Sequence, residues 1–490
     1  MTLLMILTVL FPAACALVIG CARSFESNPR SLHVFTGAAL LIQCGIAIAC
    51  AAGGDASVTF LTIGDSLPLV LAVDSLARFF MVFFAVMWTV PVFYSFAYMA
   101  HDGHEKRYLV FYLLTLSALE ALALSGTLVT MYLFFEAMTL LSVALVLHEM
   151  TRESIAAGLK YLLYSIAGAT MGLLGIFFLV PNTSSPTFVA GGSLKDSLTC
   201  SPGTLLIVLF ITIIGFGTKA GLFPMHAWLP TAHPIAPAPA SAVLSGVITK
   251  AGVLCVLRLI FYTFGADFIR GTWVQTALII TALLTVFMGS MMAFRTDLLK
   301  KRLAYSTVSQ VSYVLLGIFL LEGTALQGSL LHVVFHSAIK TCLFLSAGAI
   351  IHQTGKTRVS ELEGIGKEMP VTIWCFTLVS LGLIGIPPTG GFISKWNLAQ
   401  GALSSGTGFL EWLSPAVLLL SALLTAGYLL PVTIHGFFPG KDYDYASLTK
   451  KECGYMMLVP MILCVLFPFL GGMFPGALAS FFSGITAPLL

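Results

Sequence analysis

Apolar runs of membrane-spanning length follow one another from Leu3 almost to the end of this chain, parted only by short polar breaks. Crossing hydrocarbon takes about 20 apolar residues as a helix, because every backbone N–H and C=O must be satisfied inside the segment. Fourteen spans are predicted, over 3–22, 31–52, 74–100, 107–126, 127–149, 154–181, 204–230, 240–263, 273–294, 301–321, 325–353, 370–400, 412–436 and 455–485. The longest loop, near 182–203, is rich in Ser, Thr, Gly and Pro and reads as irregular. Of the 490 residues 58% are apolar and only 9% charged, whereas soluble domains run near about 25% charged. With a mean hydropathy of +0.98 no soluble domain of ordinary composition fits in the chain. The predicted fold class is an all-α polytopic membrane protein. The first run lacks a basic leader and reads as a first span rather than a cleaved signal.

Composition also removes several functions. A net charge of +3 argues for neither nucleic acid nor an acidic partner. The ten cysteines are scattered, mostly in apolar runs, with no Cys-x-x-Cys pair. That leaves out the usual iron–sulfur and zinc spacings, so neither metal nor cofactor is expected.

The basic residues sort by loop. Loops after odd-numbered spans hold Arg23, Arg30, Lys106, Arg107, Arg152, Arg295, Lys300, Lys301, Arg302, Lys356, Arg358, Lys367, Lys441, Lys450 and Lys451, against Lys195 and Arg270 after even-numbered spans. By the positive-inside rule the first set is cytoplasmic, which puts both termini outside. A miscount of one span would scramble this partition, so the asymmetry supports the count.

Seven bases remain inside spans: Arg78, Lys160, Lys219, Lys250, Arg258, Lys340 and Lys395, with Glu120 and Glu136. Each costs about 2.5–3.5 kcal/mol at a helix centre, and the default reading of such a residue is functional. Arg78 and Arg258 lie toward the outer ends of their spans and read as snorkelling anchors. Lys160, near His148 and Glu149, reads either as an anchor or as part of a proton-uptake cluster. Glu120 is ambiguous. One structural ion pair could account for Glu136 with a lysine, but not for three central lysines with so few carboxylates. His332, His336 and Lys340, at i, i+4 and i+8, share one helical stripe about 12 Å long. Histidine titrates near neutral pH, so the stripe reads as a proton relay; two histidines could bind a metal, but nothing nearby completes a site.

Two spans are interrupted by glycine and proline. The seventh reads Gly215-Phe216-Gly217-Thr218-Lys219-Ala220-Gly221-Leu222-Phe223-Pro224, and the twelfth carries Gly385, Pro387, Pro388, Gly390 and Gly391 before Lys395. Proline removes a backbone donor, and the freed groups are tolerated at membrane depth only beside protein or a wet cavity. The breaks at Pro224 and at Pro387 and Pro388 lie five spans apart, an odd offset that implies two inverted repeats. The expected divisions are three N-terminal helices (1–106), a first repeat (107–263), a second repeat (273–436) and a last helix (437–490).

At these residues the chain resembles the antiporter-like proton-translocating subunits shared by respiratory complex I, the Mrp cation/proton antiporters and membrane-bound hydrogenases. The matching stretches are Met131 to Met138, Lys219 through Pro230 with His233, Pro239 to Ala242 with Lys250, Asp297 to Gln310, the His332–Lys340 stripe and the second break ending at Lys395. The resemblance implies fourteen helices with two inverted five-helix repeats, each containing a broken helix. It implies a relay of Glu136, Lys219, Lys250, His332, His336, Lys340 and Lys395, with Glu136 ion-paired to Lys219, and His148, Glu149 and Lys160 as candidate uptake residues. It also implies other integral subunits and a peripheral redox arm as partners, and a bacterial or archaeal inner membrane. The chain itself shows no catalytic or redox ligand set. Na⁺(K⁺)/H⁺ exchange in an Mrp-type assembly, a non-transporting scaffold and a partner in inorganic-carbon uptake are the alternatives.

Overall fold

The computed structural model describes residues 1–64, 67–100, 103–440, 443 and 448–490. Lys441, one of the bases assigned to the cytoplasmic side, lies outside the described residues.

The chain begins with helices α1 (Thr2–Cys21) and α2 (Pro29–Ala52), followed by an antiparallel hairpin of β1 (Ala56–Ile63) and β2 (Leu67–Val73). Then come α3 (Ser75–Tyr98), α4 (Glu105–Ala123), α5 (Leu128–Val146), α6 (Arg152–Leu179), α7 (Pro202–Ala220), the short α8 (Leu229–Ile235) and α9 (Ala238–Phe264). The rest of the chain forms α10 (Trp273–Arg295), α11 (Leu299–Phe319), α12 (Gly323–Thr354), α13 (Pro370–Ile384), α14 (Gly390–Leu403), α15 (Phe409–Phe437), α16 (Tyr455–Met473) and α17 (Gly476–Thr486). Among the described residues eleven helices are long and apolar enough to cross a membrane. Several start on an ordinary cap: Asp74, Thr127, Thr151, Ser201 and Glu322 each accept a backbone N–H from three residues ahead, which satisfies one of the orphan donors of a first turn.

Two features depart from the sequence reading. The 56–73 segment, to which the sequence reading assigned no element, is a hairpin, so the fold is mostly helical rather than all-α. Val58, Thr59, Phe60, Thr62 and Ile63 favour extended backbone, and β2 is held from outside the hairpin by Val70 N–H to Thr130 Oγ1 and by Gly126 N–H to Val70 O. The predicted span 455–485 is two helices, parted at Phe474 and Pro475. Pro475 removes a donor where the helix stops, although α16 itself runs through Pro460 and Pro468.

Both predicted breaks are present. Helix α7 ends at Ala220 with Gly221 left-handed (φ 77°), and α13 ends at Ile384 with Gly385 likewise (φ 94°). A side chain would be strained at either position. Pro224 lies in the turn between α7 and α8, and Pro387 and Pro388 lie between α13 and α14.

The helices differ in what surrounds them. The apolar stretch of α9 is 100% buried and that of α12 is 94% buried, against 33% for α15. So α9 and α12 run through the middle, while α1, α2, α15 and α16 present Leu, Ile and Phe outward. The polar loops collect in two groups. Lys106 reaches Glu26, Lys356 and Lys451 both reach Glu368, Arg358 lies by Asp297, and Lys300 donates to Ala236 O. In the other group Arg78 reaches Asp55, Arg258 reaches Asp74, and the 189–193 segment bonds to Phe261, Tyr262 and Thr263. Arg258 is not a snorkelling anchor: it is 2% exposed, holds both Asp74 oxygens and lies over the Tyr262 ring at 4.5 Å.

Candidate functional site

Lys219 stands in the last turn of α7, fully buried. Its ammonium donates to Tyr161 Oη at 2.7 Å and to Ser165 Oγ at 2.9 Å, both on α6, and lies 4.1 Å from the Tyr161 ring centroid. Tyr161 in turn meets Ser142 Oγ of α5 at 2.7 Å. Glu136, also on α5, acts electrostatically on Lys219, but its Oε1 has no hydrogen-bond partner. In this structure the lysine is therefore held by hydroxyls, and the expected direct ion pair is not formed.

Lys250 lies on α9 directly after a stretch of wide turns, Leu244–Ile248. Such turns break the regular i to i+4 ladder and leave carbonyls for other donors. Ser245 O accepts from Thr249 Oγ1 (2.8 Å) and from Lys250 Nζ (2.7 Å), and Gly246 O accepts from Ser337 Oγ of α12. The same Nζ is 2.8 Å from His336 Nδ1. That contact joins the two central helices.

Along α12 the two histidines of the stripe adjoin, and Lys340 does not join them. The His336 and His332 rings stack at 5.6 Å, His332 Nδ1 meets Ser394 Oγ of α14 at 2.9 Å, and Tyr313 of α11 stacks on His332 at 5.7 Å. The other face of this group is Lys395, whose Nζ lies 5.0 Å from the Tyr313 ring and donates to Leu383 O and Ile384 O, the freed carbonyls at the end of α13. Lys340 points to α11 instead, to Ser306 Oγ and Leu303 O. The two breaks thus differ. Lys395 follows its break and caps it. Lys219 precedes its break, and there the Trp228 indole covers Thr218 O at 2.8 Å.

The candidate uptake residues are spread out. Lys160 is half-buried and donates to Thr231 Oγ1 (2.9 Å) beside α8; His148 is buried against Tyr108, with its carbonyl taken by Arg107; Glu149 is exposed. Tyr161, Ser165, Ser245, Ser306, Tyr313 and Ser394 were not singled out by sequence. The signal was there in Tyr161/Ser165 and Ser245/Thr249, pairs at i, i+4 on the faces that meet the lysines, but membrane helices carry many hydroxyls and none of these pairs stands out alone. His233, which the sequence marked only as part of a matching stretch, is fully buried against Phe344 with both ring nitrogens unpartnered.

Residues 125–438, which contain every member of this constellation, match the family described as NADH:quinone oxidoreductase/Mrp antiporter, transmembrane. The chain belongs to that family. NADH-quinone oxidoreductase subunit N of Desulforudis audaxviator is 35% identical over 80% of this chain and 79% of its own length. A Na(+)/H(+) antiporter subunit of Alkalihalophilus pseudofirmus is 27% identical over 83% and 81%, and hydrogenase-4 component B of Escherichia coli 29% over 81% and 62%. Among solved structures a chain of the Mrp complex from Dietzia sp. DQ12-45-1b superposes with a TM-score of 0.86 at 21% identity, covering 100% of this chain and 98% of that one. A chain of respiratory complex I from Thermus thermophilus gives 0.76 at 19%, covering 97% and 98%. At those identities the superpositions speak for the fold alone. This member of the NADH:quinone oxidoreductase/Mrp antiporter family is a multi-pass, antiporter-like membrane subunit with ionisable groups buried at its centre.

Proposed function

We propose that the chain moves protons along its buried file, from Lys219 sideways to Lys250, through His336 and His332, to Lys395, with Glu136 controlling the charge on Lys219. The observation that carries this is the 2.8 Å contact of Lys250 Nζ with His336 Nδ1, which makes one polar line of two central helices. Unpartnered buried polar atoms accompany it: Glu136 Oε1, both His233 nitrogens, the Gln310 amide, Thr341 Oγ1, and Nε2 of His332 and of His336. Each costs about 1–3 kcal/mol if dry, and a buried water making about three hydrogen bonds removes that cost. Water at those atoms is how the stretch between Lys219 and Lys250, which no direct bond bridges, conducts.

The architecture we infer is fourteen passes. Helices α7 with α8 and α13 with α14 each count as one broken pass, and 107–263 and 273–436 are inverted repeats. The loop group rich in lysine and arginine is cytoplasmic and both termini are outside, which the sorting of charges into two groups supports. Partner subunits in the same membrane, and a redox arm or a cation gradient, supply the energy. The names of the relatives support a complex I-like or hydrogenase-like assembly. An Mrp-type Na⁺(K⁺)/H⁺ antiporter is the second reading, favoured by the match to the Na(+)/H(+) antiporter relative. Lys219→Ala is expected to abolish proton movement in vesicles carrying the assembled complex, with assembly unchanged; transport that survives overturns the relay. Transport that requires Na⁺ in those vesicles selects the antiporter reading.

A further inference from the structure

A second ionisable centre lies away from the file, among α1, α2, α3 and α4. It begins with Pro12 of α1. Proline has no N–H, so the carbonyl four residues back, Thr8 O, loses its helical donor. The Gln43 amide of α2 takes that place: its Nε2 donates to Thr8 O at 2.9 Å. This commits one of the amide's two N–H groups and leaves the other, with Oε1, free of Thr8. Gln43 is 1% exposed and its Oε1 has no partner. Beside it lies Glu120 of α4, fully buried, with neither carboxyl oxygen partnered.

Three buried acceptor oxygens thus share one neighbourhood with no hydrogen bond made to any of them, and the Gln43 amide is close enough to act on the carboxyl. Leaving each oxygen buried and unpaired costs about 1–3 kcal/mol. Three oxygens are few for a metal ion of hard character, which takes about six or more, and they suit a single proton. The surroundings supply no other cation. Cys44 and Cys50 of α2 flank the carboxyl, with Thr89 of α3 bound to Cys44 at 3.2 Å. The N-terminal ammonium and Arg78 of α3 act on Cys50, and neither acts on Glu120. From α5, Glu136 acts on Tyr132, Tyr161 and Lys219, and from α9, Lys250 faces His336 while Cys255 faces Arg258.

We propose that Glu120 is a proton-binding site separate from the lysine–histidine file, taking up and releasing a proton that its carboxyl shares with Gln43 Oε1. Deprotonation breaks the carboxyl O–H bond and leaves carboxylate, and the proton passes to water. Nothing in this depends on the central relay, and the test keeps the two apart.

The experiment is difference infrared spectroscopy of the full chain in its native membranes, between acidic and alkaline buffer, with and without Na⁺. Wild type and Lys219→Ala are both expected to show a pH-dependent carboxylic-acid C=O band that Glu120→Gln removes and Glu120→Asp keeps at a shifted frequency. Gln43→Leu is expected to move the band, because the neutral acid loses its acceptor. No Glu120-dependent band that responds to pH overturns the proposal, since a permanently neutral, purely structural acid gives none. A band that Na⁺ displaces at fixed pH also overturns it, in favour of a metal-ion site. Loss of the band in Lys219→Ala overturns the claim that the site is separate.

Discussion

Replacing Tyr161 by phenylalanine tests whether Lys219 works as a switch between two sets of partners. The ammonium is bound to Tyr161 Oη (2.7 Å) and Ser165 Oγ (2.9 Å), while Glu136 acts on it from α5 without touching it. A hydrogen bond to a charged group contributes about 1.5–3 kcal/mol. Removing the tyrosine hydroxyl therefore moves the balance between the hydroxyl-bound and the Glu136-bound lysine by about 10- to 150-fold toward the carboxylate. The phenyl ring stays under the ammonium, where the Tyr161 ring now lies at 4.1 Å, and Ser142 keeps its bond to Thr139 O. The fold should survive. Proton uptake into vesicles, followed with a pH-sensitive dye while the driving reaction is assayed separately, is expected to fall by about tenfold or more with normal assembly. Ser165→Ala should deepen the loss. An unchanged rate in Tyr161→Phe would mean that the hydroxyl-bound lysine is not a working state, and the switch would be refuted.

Lys250→Met removes the joint between the halves. His336 Nδ1 is left unpaired, but a buried charge also goes, so stability should change by less than about 2 kcal/mol while transport is lost; melting and vesicle uptake read the two separately. Arg258→Met leaves Asp74 without its guanidinium, and because Asp74 is 32% exposed the cost should lie near the low end for a broken buried pair, about 3 kcal/mol, read as a lower melting temperature in detergent. Asp297 lies in the loop before α11. Burial, the largest single influence, raises its carboxyl, but the Ser360 hydroxyl and backbone N–H with Arg358 and Arg302 together outweigh it and hold it below the usual carboxylate range. Its contribution is present above the unfolded value of about 3.9 and is lost as pH falls through the depressed folded one. Protection factors in 357–362, corrected for the slower intrinsic exchange in acid, should fall on acidification, and Asp297→Asn should remove most of that change.

How much could be read in the sequence differs by element. The central lysines and the His332–Lys340 stripe were legible because hydrocarbon makes a charge costly wherever it sits, so residue type alone flags it. The breaks were legible because glycine and proline act on their own backbone. What was hidden depends on contacts between distant segments. Nothing local says that Lys219 will choose Tyr161 over Glu136, since that choice is set by how α5, α6 and α7 pack. Nor could the ring of Tyr313 between His332 and Lys395 be foreseen. The hairpin at 56–73 was passed over because its pairing is completed by Thr130 and Gly126, far along the chain. Arg258 was misjudged for the same reason: its partner Asp74 is 184 residues away.

The partners chosen by the lysines bear on how such a file could carry protons at all. Among the described residues a carboxylate acts on Lys219, and none acts on Lys250, Lys340 or Lys395. Lys340 acts on Lys250, and two ammonium groups held in a medium of low effective dielectric repel. The Lys250–Lys340 pair resists carrying two charges at once, so on the proposed reading a proton arriving at one favours departure from the other. A carboxylate beside each lysine would cancel that coupling by pinning every ammonium. Hydroxyls and carbonyls do not pin it. Tyr161, Ser165, Ser306 and the carbonyls of Ser245, Leu303, Leu383 and Ile384 accept an N–H from the charged and from the neutral amine alike. They hold each lysine in place through both protonation states and leave Glu136 as the one point where charge can be fixed or released.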